Sequence, residues 1–525
     1  MKKARKLMAF LLAAVMVMGM TMSVSAANTN PHTITIDNST SGYTYEAYQV
    51  FAGDYSEEEG VGKLSNITWG EGVDGDALLT ELKNLDVSGD TPFAECATAE
   101  AVAEVLGAEG NKEPNSEVAK AFAEVVAKHL NTKAADFTYV DEETGYTATV
   151  TGDGYYFVKN ASVPDDGTYT RYLLAVVDDV NIAHKGTTPT VEKEIEKVNE
   201  DAVENTHAEA VVGDTISFSI TGTLSDEYDN YKSYYYHFVD TMSAGLTYND
   251  NAKVYIVNGQ NKEEVTNQFI IEQNVDGVTL SAKANLKELT GVTITSATQV
   301  VVEYTATVNE SAVTGSTGNT NSVVLKYEND PYHEGDGNPS TPDEPNDPDE
   351  PGTTPPEVNI IYSFEVGVNK EDETGTALPG AGFTLSKKTG TDPVVWTPVG
   401  SEITGETTFT WNLTSGTYKI EETTVPEGYN KADDIIFKIV PTYNNSDPAA
   451  LTELAIQDEN GAVISEFTVN LGAGTASIDI ENRAGSLLPS TGGMGTTIFY
   501  IVGGVLVLVA VVLLVTRKRM KKEEV

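Results

Sequence analysis

Six side chains carry the chemistry that this sequence offers. In Val191-Glu192-Lys193-Glu194-Ile195, strand alternation puts Val191, Lys193 and Ile195 on one face. Tyr236, Phe238 and Asp240 are likewise in phase, and Asn321 shares a face with Val323, Leu325 and Tyr327. Further on, Lys370 is in phase with Phe364, Val366 and Val368. Asn482 is in phase with Ile478 and Ile480, and Glu422 shares a face with Tyr418 and Ile420. A charged group buried alone is costly, so lysine and acid on apolar faces should find partners. Two outcomes are open from the residues. One is a Lys–acid salt bridge, with the asparagine capping a turn. The other is acyl transfer. Burial lowers the pKa of a lysine and raises that of an acid, leaving a neutral, nucleophilic amine. A protonated carboxyl can polarise the Asn carboxamide, and fixed proximity supplies much of the rest. The products are a Lys–Asn amide and ammonia. Asn319 is in phase with Asn321, and Lys197 is the alternative to Lys193.

Strands must position these groups. From Pro189 to Tyr327 the chain is β-rich with frequent turns, the pattern of an Ig-like sandwich. Before it, Thr33–Ile36 and Tyr43–Phe51 read as strands. Ala97–Leu106 and Val118–Leu130 show helical spacing, and strands return at 146–150, 154–159 and 169–177. This is a β domain with a helical insertion. It shows no catalytic constellation, and His129 reads as a surface residue of the second helical stretch. Gly186 and Pro189 mark a boundary. With Val180 and Ile182 pointing inward, Ala183 and Lys185 point out. Residues 329–357 are rich in Pro, Asp and Glu and almost free of apolar side chains, which makes them an extended acidic loop or linker. They lack the ligand spacing and loop glycine of an EF-hand.

The ends are of another kind. Lys2, Lys3, Arg5 and Lys6, then the apolar run Leu7–Met20, then small residues at Val24–Ala27 form a secretory signal peptide, cleaved after Ala26 or Ala27. Residues 497–516 carry no charge and are long enough to span a bilayer. Arg517, Lys518, Arg519, Lys521 and Lys522 behind them fix the C-terminus on the cytoplasmic side. The formal net charge of -46 repels nucleic acid and anionic lipid. Cys96 is the lone cysteine, so no intramolecular disulfide forms, and an exported chain needs some other protection for its domains. There is no Ser/His/Asp pattern and no zinc motif, which argues against a surface hydrolase. No metal or cofactor is expected.

Leu488-Pro489-Ser490-Thr491-Gly492, an apolar span and a basic tail, in that order, resemble a sortase cell-wall sorting signal. The resemblance implies cleavage between Thr491 and Gly492, with the Thr491 carboxyl passed to an amine. Pro189-Thr190-Val191-Glu192-Lys193, Val212-Gly213-Asp214-Thr215, Phe238–Leu246, Gly318–Asn321 and Tyr327 resemble the fimbrial isopeptide-formation domain of Gram-positive pilins. Gly416–Thr423 with Pro426, Gly428 and Tyr429 resembles the CnaB-type repeat of collagen-adhesin stalks and pilins, whose pattern selects Glu422 over Glu421. Together these resemble a sortase-assembled backbone pilin of the SpaA type. The resemblance implies amides Lys193–Asn321 and Lys370–Asn482, promoted by Asp240 and Glu422. It also implies an acceptor lysine at the end of the first domain. Lys185 matches that lysine, whereas Ala183 and His184 depart from the family's Tyr-Pro.

The expected chain is therefore mainly β. It reads as signal peptide (1–27), N-terminal β domain with helical insertion (28–185), fimbrial Ig-like domain (186–365, containing the 329–357 loop), CnaB-type domain (366–485) and sorting signal (488–525) with one transmembrane helix. The implied role is a structural subunit of a covalent pilus at the cell wall, secreted and held briefly in the membrane. It would be a sortase substrate that crosslinks only itself and has no enzymatic turnover. The implied partners are sortase, identical subunits and peptidoglycan, with host or matrix ligands left open and nucleic acid excluded. A monomeric wall-anchored adhesin and an accessory or basal pilin are the alternatives.

Overall fold

The computed structural model describes residues 30–58, 61–112, 116–184, 186–275, 277–332, 351–485 and 495–520. The signal peptide, Lys185, Leu488–Gly492 and the middle of the 329–357 stretch lie outside the described residues.

The first unit stacks two sheets and a helical layer. Pro31–Asp37 pairs with Gly145–Thr151 and, in parallel, with Val180–Ala183. Thr44–Glu58 and Gly154–Ser162 centre the facing sheet. Alternation drives the stacking: Ile34, Ile36, Tyr45, Val150, Tyr156 and Val158 fill the space between the sheets. Three helices, Gly75–Leu82, Ala99–Gly107 and Glu117–Lys128, cover the far side through Phe51, Leu78, Val102 and Phe122. Asp74, Thr98 and Ser116 cap their first turns by accepting from backbone N–H groups. His129 is not a free surface residue. It ends the last of these helices and meets Glu81 Oε2 at 2.7 Å. Cys96 is buried in the same core.

The middle unit is a sandwich of two seven-stranded sheets. One sheet places Val191–Val198 and Gln299–Val308 on either side of Thr215–Gly222. The other places Asn319–Tyr327 between Tyr235–Met242 and Glu357–Tyr362. Both inner faces read as strict alternation of buried and half-covered residues. The last unit opens with the strand Phe364–Asp372. Phe364–Asp372 there runs parallel to Thr475–Asn482 in a four-stranded sheet, facing a six-stranded sheet that contains Gly416–Thr424.

The Pro/Asp-rich stretch is not wholly a linker. Gly352–Thr353 pairs with Lys326 and Tyr327, Glu357 opens a full strand, and Glu328, Asn329 and Asp330 are buried. Its two described ends are held by the first unit. Tyr169 N donates to Asn329 O (2.8 Å), Thr353 N donates to Asp165 O (2.7 Å), and the Arg171 guanidinium lies 3.5 Å over the Tyr332 ring. Backbone groups needed partners here, and the neighbouring unit supplies them. At the C-terminus, Gly495–Met520 is one helix, with an apolar 18-residue stretch of mean hydropathy 3.1 ahead of Arg517, Lys518 and Arg519 in its last turn.

Candidate functional site

The middle sandwich brings Lys193, Asp240 and Asn321 together across its core. Lys193 rises from one sheet, and Asp240 and Asn321 from the other. Asp240 and Asn321 lie diagonally on neighbouring strands, where Asp240 is opposite Val323 and Met242 opposite Asn321. Period-two alternation points all three into the same gap. They are 2%, 0% and 0% exposed, which excludes solvent from any reaction between them. Lys193 Nζ lies 2.8 Å from Asn321 Oδ1 and also contacts Asp240 Oδ2. Burial among Phe218, Tyr304 and the sheet residues pushes the Lys193 amine down, against the pull of Asp240. The same burial pushes the Asp240 carboxyl up, against the pull of Lys193. Both directions favour the neutral pair, an amine with a free lone pair beside a protonated acid.

The rival partners stand elsewhere. Asn319 is buried but occupied: its Oδ1 accepts from Val313 N (2.9 Å), and its Nδ2 donates to Val313 O and Ile361 O. Lys197 follows a β-bulge after Ile195, which breaks the alternation and turns it out to solvent.

Two residues at this site were not read from the sequence. Tyr304 Oη sits between all three groups, 2.9 Å from Lys193 Nζ and 2.8 Å from Asn321 Nδ2, and it donates to Asp240 Oδ2 at 3.1 Å. Asn359, opposite Asn321, donates through Nδ2 to Lys193 O at 3.0 Å and so fixes the lysine's backbone. Tyr304 shares its phase with Val300, Val302 and Ala306 and looks like any core aromatic. Asn359 comes just after the stretch read as a linker. No signal in the sequence separates either from its neighbours.

The last sandwich solves the same problem differently. Lys370 and Asn482 stand on adjacent parallel strands of one sheet, with Lys370 opposite Ile480 and Asn482 two residues on. Glu422 reaches across from the other sheet. All three are buried. Glu422 Oε1 accepts from Asn482 Nδ2 (2.7 Å), and Oε2 accepts from Ala432 N (2.8 Å). Lys370 Nζ donates to Ile480 O (2.8 Å) and Glu371 O (2.9 Å). Burial lowers its pKa, and Glu422 is the largest opposing charge. In this site the acid holds the carboxamide, whereas in the middle site it holds the amine. Among the described residues no group of three or more His, Cys, Asp or Glu could hold a metal ion.

Comparisons with known proteins agree with this architecture. Residues 212–331 match a family described as Gram-positive pilin backbone subunit 2, Cna-B-like domain. Residues 364–450 match the SpaA prealbumin-like fold domain, and 481–524 the LPXTG cell wall anchor motif. The trypsin-resistant surface T6 protein of Streptococcus pyogenes serotype M6 is 22% identical over 426 residues, 71% of this chain and 75% of that protein. The solved T6 backbone pilin of serotype M6 S. pyogenes, described as a modular three-domain structure, superposes with a TM-score of 0.52 at 19% identity. It covers 88% of this chain and 100% of its own, a likeness of fold. With the anchor motif and the apolar helix behind the pilin domains, these matches support a sortase-assembled backbone pilin of the Gram-positive cell-wall surface.

Proposed function

We propose that this chain is the repeating subunit of a covalent pilus. In it, sortase joins the Thr491 carboxyl of one copy to Lys185 of the next, and the amides Lys193–Asn321 and Lys370–Asn482 form within each copy. The domains divide at 185 and 365, with the sorting signal from 488. One observation carries the internal chemistry: a lysine amine 2.8 Å from an asparagine carboxamide, beside an acid, in a core without solvent. In each site the lysine Nζ attacks the Asn Cγ, the carboxyl assists, and ammonia leaves. Each reaction happens once, so the chain has no turnover. The alternation of the last strand of the first domain, with Val180 and Ile182 half-covered and Ala183 exposed, supports Lys185 as the acceptor.

A gel of cell-wall extract under denaturing conditions, probed for this chain, tests the assembly. A high-mass ladder is expected, and Lys185→Ala should collapse it to single wall-bound subunits. One band from the wild type would instead make the chain a monomeric adhesin, and a ladder that survives Lys185→Ala would move the acceptor to another lysine.

A further inference from the structure

We infer that Tyr304 is a catalytic residue of the middle-domain site, its hydroxyl relaying a proton from the attacking Lys193 amine to the departing nitrogen of Asn321. The inference rests on the Lys193–Asn321 amide proposed above.

Amide exchange at a carboxamide has one recurring difficulty. When the Nζ lone pair attacks Cγ, a C–N bond forms and the carbonyl electrons move to Oδ1. Nζ then carries a proton too many. Nδ2 can leave only as ammonia, so it needs one more. A proton must therefore travel from Nζ to Nδ2. Tyr304 Oη is within hydrogen-bond distance of both nitrogens, at 2.9 Å and 2.8 Å. In the resting site Tyr304 accepts from both and donates to Asp240. Once Cγ is tetrahedral, Nδ2 has a lone pair to offer, and the hydroxyl can swing its donor from Asp240 to Nδ2. It then gives its own proton to Nδ2 and takes one from Nζ. The Cγ–Nδ2 bond breaks, the Oδ1 electrons restore the carbonyl, and ammonia departs. Tyr304 ends as it began, and no water or cofactor enters the balance.

Asp240 cannot serve Nδ2 in this arrangement. Its Oδ2 takes Lys193 and Tyr304, and its Oδ1 is buried with no partner among the described residues. Among the described residues, Asn321 Nδ2 reaches the acid through Tyr304. The last domain makes the contrast, because there Glu422 meets Asn482 Nδ2 directly at 2.7 Å and needs no intermediary. The tyrosine fills the gap left where the acid contacts the amine instead of the amide.

The ring is held for this task. It stacks on Phe218 with centroids 5.3 Å apart and meets Tyr248 edge-on at 5.8 Å. Burial, reinforced by Asp240, raises the phenol far above its ordinary range, so the proton stays on oxygen until a basic nitrogen appears. Packing belongs to the ring and the relay to the hydroxyl, which a phenylalanine separates.

The test follows cross-link formation in the full chain during cell-free synthesis, with samples quenched at intervals and both Lys–Asn peptide pairs read by mass. General acid–base assistance is worth about 10²–10⁴-fold in rate, so Tyr304→Phe should slow the 193–321 link by that order. The 370–482 link should keep its wild-type pace as an internal clock. A ring-fluorinated tyrosine at 304 keeps the shape and alters the acidity, so it should shift the 193–321 rate even if the phenylalanine variant folds poorly. Wild-type rates in both variants would overturn the relay while leaving the amide standing. A wild-type chain that never loses ammonia at 193–321 would remove the amide itself, and the relay with it.

Discussion

Asn321 and Asn359 stand directly opposite each other on antiparallel strands, both buried, yet each holds a different part of Lys193. Asn321 meets its amine and Asn359 its backbone carbonyl. Deleting either should therefore have separable effects. Asn321→Ala should keep the full calculated mass of the 193–321 peptides, with no ammonia lost. Asn359→Ala should still lose ammonia, while its thermal unfolding reports the loss of one buried hydrogen bond, about 1–3 kcal/mol. An Asn359→Ala chain without the link, alongside a linked Asn321→Ala chain, would exchange the two roles.

Glu422→Ala should restore one ammonia to the mass of the last domain and leave the middle one unchanged. A cross-link closing a loop of about 100 residues is worth about 4–5 kcal/mol on the chain-entropy model. The variant should lose stability of that order, measured by denaturant unfolding and by earlier cleavage with trypsin. An unchanged unfolding midpoint would mean that the wild-type domain carries no link.

The middle domain should weaken in acid through His237. Its ring nitrogens lie 2.8 Å from Tyr235 Oη and 2.7 Å from Ser281 Oγ. Burial, helped by Lys283 and Lys326, lowers its pKa to about 3. Unfolded, it would titrate near ~6.5. Between these values the unfolded chain binds a proton that the folded chain refuses. The contribution is therefore complete above the unfolded value and drains away as pH falls towards the folded one. Melting temperatures across that window should slope down with acid, and His237→Gln should flatten the slope.

The joint between the middle and last domains includes a close backbone approach at Gly315 and Gly474. Gly315 N donates to Ser363 O (3.0 Å) and Thr314 Oγ1 to Ala473 O (2.7 Å). Gly315 and Gly474 hold φ of 87° and 67°, and a Cβ on either would collide with the other's backbone. Gly315→Ala should push the domains apart, with backbone strain of about 1–3 kcal/mol. Spin labels on the two domains should show a broader distance distribution, while both cross-link masses stay unchanged.

Much of this site was legible because alternation is a strong signal in long strands. Alternation puts Lys193, Asp240, Asn321 and Asn482 in phase with apolar neighbours, but leaves Lys197 and Asn319 as rivals. Alternation assigns a face, however, and not a sheet. It could not say that Lys193 faces its partners across the core while Lys370 lies beside its partner in one sheet. A single bulge at Ile195–Lys197 was enough to make Lys197 look like a rival. Tyr304 stayed hidden because its hydroxyl partners come from three other strands. Asn359 and Thr353 stayed hidden because local composition spoke of a linker while their pairing is set by distant backbone.

The clasp that the first domain makes on Asn329 and Thr353 has a meaning for survival outside the cell. In the proposed subunit, where Lys193 is joined to Asn321 and Lys370 to Asn482, each sandwich becomes a closed ring of chain. A protease that cuts one peptide bond inside a ring leaves the subunit in one piece. Only a cut outside both rings parts it, and the acidic stretch lies in the segment between them. The first domain closes no ring of its own, yet it lies over both described ends of that stretch. It stands as a guard at the place where a single cut would be enough.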